Sequence, residues 1–135
     1  MRFIHSADWQ IGMTRWFLEG EAQARYSQAR LDAIEALAKL AGEAKAAFVI
    51  VAGDVLESHQ IDRLIYRRFL DALASFPVPI YLLPGNHDPY YPGCLYTQAE
   101  FIDRLRGTAV EVLSDSTPRQ VPTGDVEVVG APWPT

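Results

Sequence analysis

The sequence predicts an α/β fold, and three observations carry that reading. Three apolar runs, Arg2-Phe3-Ile4-His5-Ser6-Ala7, Phe48-Val49-Ile50-Val51-Ala52 and Val78-Pro79-Ile80-Tyr81-Leu82-Leu83, are separated by stretches of helical composition. Each run ends in a short polar cluster: Asp8-Trp9-Gln10, Gly53-Asp54 and Gly85-Asn86-His87-Asp88. After Gly107 the alternation gives way to short strands divided by turn residues.

The first run alternates apolar and polar residues before a polar loop, as a strand does. From Glu21 to Ala46 the chain is rich in Ala, Leu, Glu, Lys and Arg. Leu31, Ile34, Ala38 and Ala41 recur there at helical spacing, which predicts a long amphipathic helix. Phe48 to Ala52 is the continuous β-branched and aromatic run expected of a strand covered on both faces. A second helix is expected with Ile61, Leu64, Ile65, Leu73 and Phe76 facing inward and Pro77 ending it. Val78 to Leu83 predicts a third strand. Tyr96 to Leu105 predicts a third helix with Ala99, Ile102 and Leu105 on one face and Gly107 as its stop. Short strands are expected at Val110 to Leu113, Arg119 to Val121 and Val126 to Gly130, the last with an open edge that invites pairing with another chain.

Composition sets bounds on function. At 135 residues one domain with one core is expected. An apolar fraction of 49% and a charged fraction of 21% are ordinary for a globular chain, which argues against disorder. No apolar run approaches the roughly 20 residues needed to span a bilayer, and Met1-Arg2-Phe3-Ile4-His5 runs straight into a strand without a signal-peptide pattern. The single Cys94 cannot form an internal disulfide, in keeping with a reducing compartment, and a cytoplasmic location is expected. A net charge of −5 counts against a broad electrostatic footprint for DNA on this stretch. Arg63, Arg67 and Arg68, and Arg104 and Arg106, read as solvated helix faces.

In open α/β sheets ligands bind beyond the carboxyl ends of the strands, which gathers Asp8, Asp54, Asn86, His87 and Asp88 at one edge. Carboxylates, an amide and an imidazole suit hard or borderline divalent metals. A phosphodiester resists hydrolysis because its anionic oxygens repel the nucleophile and the alkoxide leaves poorly. Two ions about 3.5–4 Å apart address both problems. Asp54 suits the bridging position, with Gly53 allowing a tight turn before it and Gly85 playing the same steric part. Asp8 would hold the first ion and Asn86 the second. His87, held by Asp88, is expected to protonate the leaving oxygen or to steady charge on the phosphoryl group. His59 and Glu57 follow Asp54 in a loop and read as surface residues that could reach a phosphate. His5 reads as packed or hydrogen-bonded within the first strand, and Tyr90 and Tyr91 as loop packing that could stack on a base.

The strings Ile4-His5-Ser6-Ala7-Asp8-Trp9-Gln10-Ile11-Gly12, Ala52-Gly53-Asp54-Val55-Leu56 and Leu83-Pro84-Gly85-Asn86-His87-Asp88 resemble the calcineurin-like metallophosphoesterases. Within them they resemble the SbcD-type DNA repair exonuclease subunits, to which the Trp after the first Asp and the long helix point. The resemblance implies an αββα sandwich of which residues 1–135 form the N-terminal part, two manganese ions, exonuclease and endonuclease action on DNA, a homodimer and an SbcC-type ATPase partner. The family pattern has His two residues after the first Asp, where this chain has Gln10. The resemblance makes Gln10 a ligand whose amide oxygen donates more weakly than imidazole, so the first ion should be loosely held. The family's further histidines, one alone and two in a Gly-x-His-x-His motif, have no counterpart among His5, His59 and His87, so little activity is expected of this stretch alone. Two other readings stand beside the nuclease: a phosphodiesterase or phosphatase for small molecules, favoured by the acidic charge, and a scaffold module whose weakened site no longer turns over, favoured by Gln10.

Overall fold

The computed structural model describes residues 1–14, 17–122 and 124–133. Its elements, in chain order, are β1 (Phe3–Ser6), α1 (Gly20–Glu43), β2 (Phe48–Ala52), α2 (Arg63–Ala74), β3 (Ile80–Leu83), a 3-10 turn at Leu95–Thr97, α3 (Ala99–Leu105), β4 (Val110–Val112), β5 (Arg119–Gln120) and β6 (Glu127–Val128). Strands β1 to β4 form one parallel sheet in sequence order, with Phe3 opposite Phe48, Val49 opposite Ile80 and Ile80 opposite Val110. Each connection moves one strand in the same direction. Because such crossovers are right-handed, all three helices are laid on one face, and α1 does pack on α2 and α2 on α3.

The period of two along each strand divides the sheet between two cores. Val49, Val51, Ile80 and Leu82 point to the helices, joining Leu31, Ile34, Ala38 and Ala41 of α1 and Phe69, Leu70 and Leu73 of α2. Phe48, Tyr81 and Leu113 point the other way and are covered by Val121 and Val128 of the antiparallel β5–β6 hairpin. Arg119 ties that hairpin to β4 through Glu111 at 3.5 Å and Asp115 at 2.7 Å. The result is a helical layer, a parallel sheet and the start of a second sheet, as expected for the N-terminal portion of the sandwich. Phe3 stacks on Phe48 with ring centroids 4.9 Å apart and remains 53% exposed. His5 on the same face is exposed, contrary to the packed position expected of it.

Several inward faces differ from the sequence reading. In α2 the buried residues are Tyr66, Phe69, Leu70, Ala72 and Leu73, whereas Leu64 is 54% exposed. Leu64 precedes Tyr66 by two positions, or about 200° around the helix. In α3 the buried pair is Phe101 and Leu105, while Ile102 is 46% exposed and Ala99 is exposed as well. α2 starts at an Asp62 cap, whose carboxylate accepts from the Leu64 and Ile65 amides at 3.1 and 3.2 Å. It stops at Ala74, where Ser75 Oγ donates to the Ala72 carbonyl, three residues ahead of Pro77. Gly107 lies just past α3 at φ +77°, the left-handed position that ends a helix without a Cβ penalty. Among the described residues no helix is long and apolar enough to cross a membrane.

Candidate metal centre

Beyond the carboxyl ends of β1 and β2 the two chains stay paired as loops. The Asp8 amide donates to the Gly53 carbonyl at 3.0 Å, Gln10 to Asp54 at 2.9 Å, Ile11 to Val55 at 3.0 Å and Glu57 to Ile11 at 3.0 Å. This places the first two polar clusters side by side with their backbones interlocked. Among the described residues four that are not glycine have positive φ: Asp8 at +54°, Gln10 at +47°, Lys45 at +53° and Asp54 at +52°. Each costs on the order of 1 kcal/mol relative to an ordinary conformation. Three of the four are residues the sequence reading marked as ligands. Backbone strain held by surrounding hydrogen bonds is characteristic of functional sites. Gly53, at φ +94°, makes the turn before Asp54.

Gly85 approaches Asp54 so closely that a Cβ on it would lie 2.5 Å from the Asp54 nitrogen and 3.1 Å from its Cγ. The absence of a side chain there lets the third cluster close on the second. The His87 amide donates to Asp54 Oδ1 at 3.0 Å. The Asn86 side-chain amide lies 3.2 Å from both Asp54 carboxylate oxygens. With its nitrogen turned to Asp54 it donates to both. With its oxygen turned there, three acceptors converge, an arrangement that a cation between them stabilises. Among the described residues no three of His, Cys, Asp and Glu are grouped closely enough to hold an ion by themselves. The donor set therefore depends on the amide oxygens of Asn86 and Gln10 in addition to Asp8 and Asp54. Such hard oxygen donors fit a divalent cation of the magnesium, calcium or manganese type.

Asp88 takes a different part from the one its sequence neighbour suggested. It is fully buried and faces away from His87. Its Oδ1 accepts from the Gly85 amide at 2.7 Å, and its Oδ2 accepts from the Leu56 amide at 3.1 Å and from the Tyr96 hydroxyl. It thus ties the Gly85 loop, the segment after Asp54 and the 3-10 turn into one unit. Burial pushes its carboxyl above the usual carboxylate range, opposed by these three donors and reinforced by the Asp54 charge. Tyr96, buried against it, has its phenol pushed well above the ordinary value by that burial and by the Asp88 charge.

The group beside His87 is Glu57. The His87 Nδ1 lies 3.2 Å from the Glu57 carbonyl and 3.7 Å from its Oε1, and Glu57 Oε2 is buried without a partner among the described residues. The sequence signal for it was its place three residues after Asp54. His59 is not a surface residue either. Its Nδ1 accepts from the Leu95 amide at 3.3 Å, its Nε2 lies 2.7 Å from the Pro89 carbonyl, and its ring meets Tyr91 and Tyr96 edge-on. Both ring nitrogens are committed to backbone, which removes it from the set of available ligands. The helical arginines are largely occupied: Arg63 pairs with Glu100 at 2.7 Å, Arg104 with Asp71, Arg106 with Asp103 at 3.0 Å, and Arg68 donates to Gln28 at 2.8 Å.

The Calcineurin-like phosphoesterase family matches residues 1–125, a stretch that includes all three strand-end clusters. The chain belongs to that family. It is similar to the SbcD component of the SbcCD nuclease of Rhodobacter capsulatus, at 37% identity over 94 residues that cover 66% of this chain. It is also similar to the protein of the same name from Bacillus subtilis, at 29% identity over 92 residues and 65% of this chain. The matched stretch is 22% of each relative, so the chain corresponds to about a fifth of their length. Membership accounts for the order of the clusters along the chain and for their meeting at one sheet edge. Within this family member, position 10 holds an amide rather than an imidazole.

Proposed function

We propose that this chain carries one side of a two-metal centre that hydrolyses phosphodiester bonds in DNA, as a manganese-dependent nuclease subunit of the SbcD type. The observation that carries the reading is the convergence of the Asp54 carboxylate with the Asn86 amide, beside the strained loop of Asp8 and Gln10. Asp54 would bridge, Asn86 would complete the second ion's set, and Asp8 and Gln10 would hold the first. Ions bound there would supply a nucleophilic water at neutral pH and offset charge on the phosphoryl oxygens. This chain's residues do the rest. Asp54 is aimed by the His87 amide, and Gly85 leaves the room for its approach. With its proton on Nδ1 facing the Glu57 carbonyl, His87 leaves Nε2 to donate to the leaving oxygen, and the Glu57 carboxylate favours the charged ring. Asp88 holds the loop from below and does not touch substrate.

The relatives' name supports DNA as substrate and an SbcC-type ATPase as partner, in a cytoplasmic homodimer. The pairing of the helical arginines with acids and a net charge of −5 favour a second reading, a phosphodiesterase for small molecules. Manganese titration calorimetry on this chain, beside Asp54→Ala, tests the centre. Binding lost in the variant supports it, and heat indistinguishable between the two removes the reading. Hydrolysis of single-stranded DNA against an aryl phosphodiester by the longest available form of the protein then separates the two substrates.

A further inference from the structure

Arg30 of α1 stands apart from the other arginines of the helices. Among the described residues no carboxylate lies within ion-pair distance of it, and its Nε is buried without a partner. Its Nη2 donates to the Trp9 carbonyl, its Nη1 donates to the Tyr26 hydroxyl at 3.2 Å, and the guanidinium sits 5.6 Å from the Tyr26 ring centroid. An arginine that leaves a buried N–H unpaired is held where it is by something else, and the charged contact to Trp9 is the strongest one present.

The Trp9 carbonyl belongs to the peptide joining Trp9 to Gln10. The other end of that peptide, the Gln10 amide, donates to the Asp54 carbonyl at 2.9 Å. The peptide plane is therefore gripped from both sides, by Arg30 and by Asp54. Its orientation sets φ of Gln10, one of the strained left-handed residues, and ψ of Trp9, between the two residues of the first cluster that face the centre. Rotating this plane is the simplest way for Gln10 to return to an ordinary conformation. A second path reaches the same loop: the Tyr26 hydroxyl lies 3.6 Å from Met13 Sδ, and the Met13 amide donates to the Gln10 carbonyl at 3.0 Å.

We propose that Arg30 is a positioning residue for the metal centre, holding the Trp9–Gln10 peptide in the orientation that presents Asp8 and Gln10 as ligands. The inference rests on the reading of those two residues as ligands of the first ion. Arg30 acts through the backbone and touches neither ion nor substrate. A cavity of about 290 Å³ lined by Ser6, Trp9, Arg30, Ile34 and Leu37 leaves room for a replacement side chain without overpacking.

The test uses the whole chain with Arg30→Met, which keeps the apolar stem, and Arg30→Lys, which keeps the charge and one donor. Amide hydrogen exchange on the metal-free protein reads the clamp directly. In Arg30→Met, exchange at the Gln10 amide should rise about tenfold or more while the β2 amides are unchanged, and Arg30→Lys should restore most of the protection. Manganese calorimetry reads the consequence: the weaker of two sites should lose roughly 10–100-fold in affinity, as when an outer partner of a metal ligand is removed. Unchanged Gln10 exchange in Arg30→Met overturns the clamp whether or not manganese binds. Faster exchange with an unchanged manganese isotherm overturns its role in positioning ligands. A native chain that binds no manganese overturns the metal-centre reading and the role in ligation with it, while the exchange experiment still decides whether Arg30 holds the peptide.

Discussion

Gly85→Ala is the most direct probe of how the second and third clusters meet. The added Cβ would lie 2.5 Å from the Asp54 nitrogen and 3.1 Å from its Cγ, against the 3.4 Å or more of ordinary contact. The neighbours include backbone, so no flexible side-chain tip can give way, and Asp54 must withdraw by about 1 Å. That withdrawal pulls on the bond from the Gln10 amide to the Asp54 carbonyl and loosens the one from the His87 amide to Oδ1. Overpacking of this kind costs about 1–3 kcal/mol, and a rigid backbone obstacle places it near 3. A domain with ordinary stability of about 5–15 kcal/mol still folds. A 1 Å displacement of a bridging ligand can cost on the order of a hundredfold in function, and manganese affinity should fall accordingly. Urea unfolding gives the first quantity and calorimetry the second. Gly93→Ala is the internal control: φ there is +93° but nothing lies within 4 Å, so it should cost about 1 kcal/mol of strain and leave manganese affinity alone. A Gly85→Ala protein with native urea midpoint and native manganese affinity would refute the packing argument.

The remaining perturbations separate support from chemistry. Asp88→Ala leaves the Leu56 and Gly85 amides and the Tyr96 hydroxyl without an acceptor and should cost about 3–5 kcal/mol in urea unfolding, while Asp88→Asn, keeping one oxygen, should cost about 1–2 kcal/mol. Tyr66 has a buried hydroxyl without a partner among the described residues; its phenol is pushed up to about 12, first by burial, then by Glu100 and against Arg63 and Arg104. Because the folded value is raised, the stability from this group is fully present below pH 10 and is lost as pH rises from 10 towards 12. Tyr66→Phe should remove that alkaline segment of the stability curve and cost less than about 1 kcal/mol at pH 7. Gln10→His replaces an amide donor by imidazole and should tighten the weaker manganese site about tenfold or more by calorimetry, with little change in melting temperature.

Much of this architecture was legible because strand and helix periods are strong signals. Leu31, Ile34, Ala38 and Ala41 form the buried stripe of α1, and Phe48–Ala52 is a strand with the boundaries its composition gives. The inward faces of α2 and α3 were misread where aliphatic residues were counted and aromatics were not. Tyr66, Phe69, Leu70 and Leu73 make the stripe, and Leu64 falls on the opposite side. Positive φ at Asp8, Gln10 and Asp54 had no sequence signal except the glycine before Asp54, since Asp and Gln carry no requirement for that conformation. Arg30 was illegible for a further reason. Its contact to Trp9 spans 21 residues and depends on the register at which α1 crosses the end of β1, which hydrophobic period alone leaves open.

The separation of His87 from Asp88 shows how adjacency in a motif misleads about geometry. Consecutive residues at the end of a strand project to different sides, and here one side is the site and the other the core. His87 stays half-exposed beside Glu57, while Asp88 is drawn inward by two backbone amides and a tyrosine. A carboxylate with three donors in a buried place is a fastener, because losing it strands the donors as well as the charge. The four-residue string Gly85-Asn86-His87-Asp88 therefore divides into tasks by depth: Gly85 gives space, Asn86 and His87 face Asp54 and solvent, and Asp88 fixes the other three from beneath. The strained φ angles of the other two clusters are likewise held by backbone hydrogen bonds and need no ion to keep them. Both halves of the site are thus preorganised by the fold, and a bound cation would meet ligands already in place.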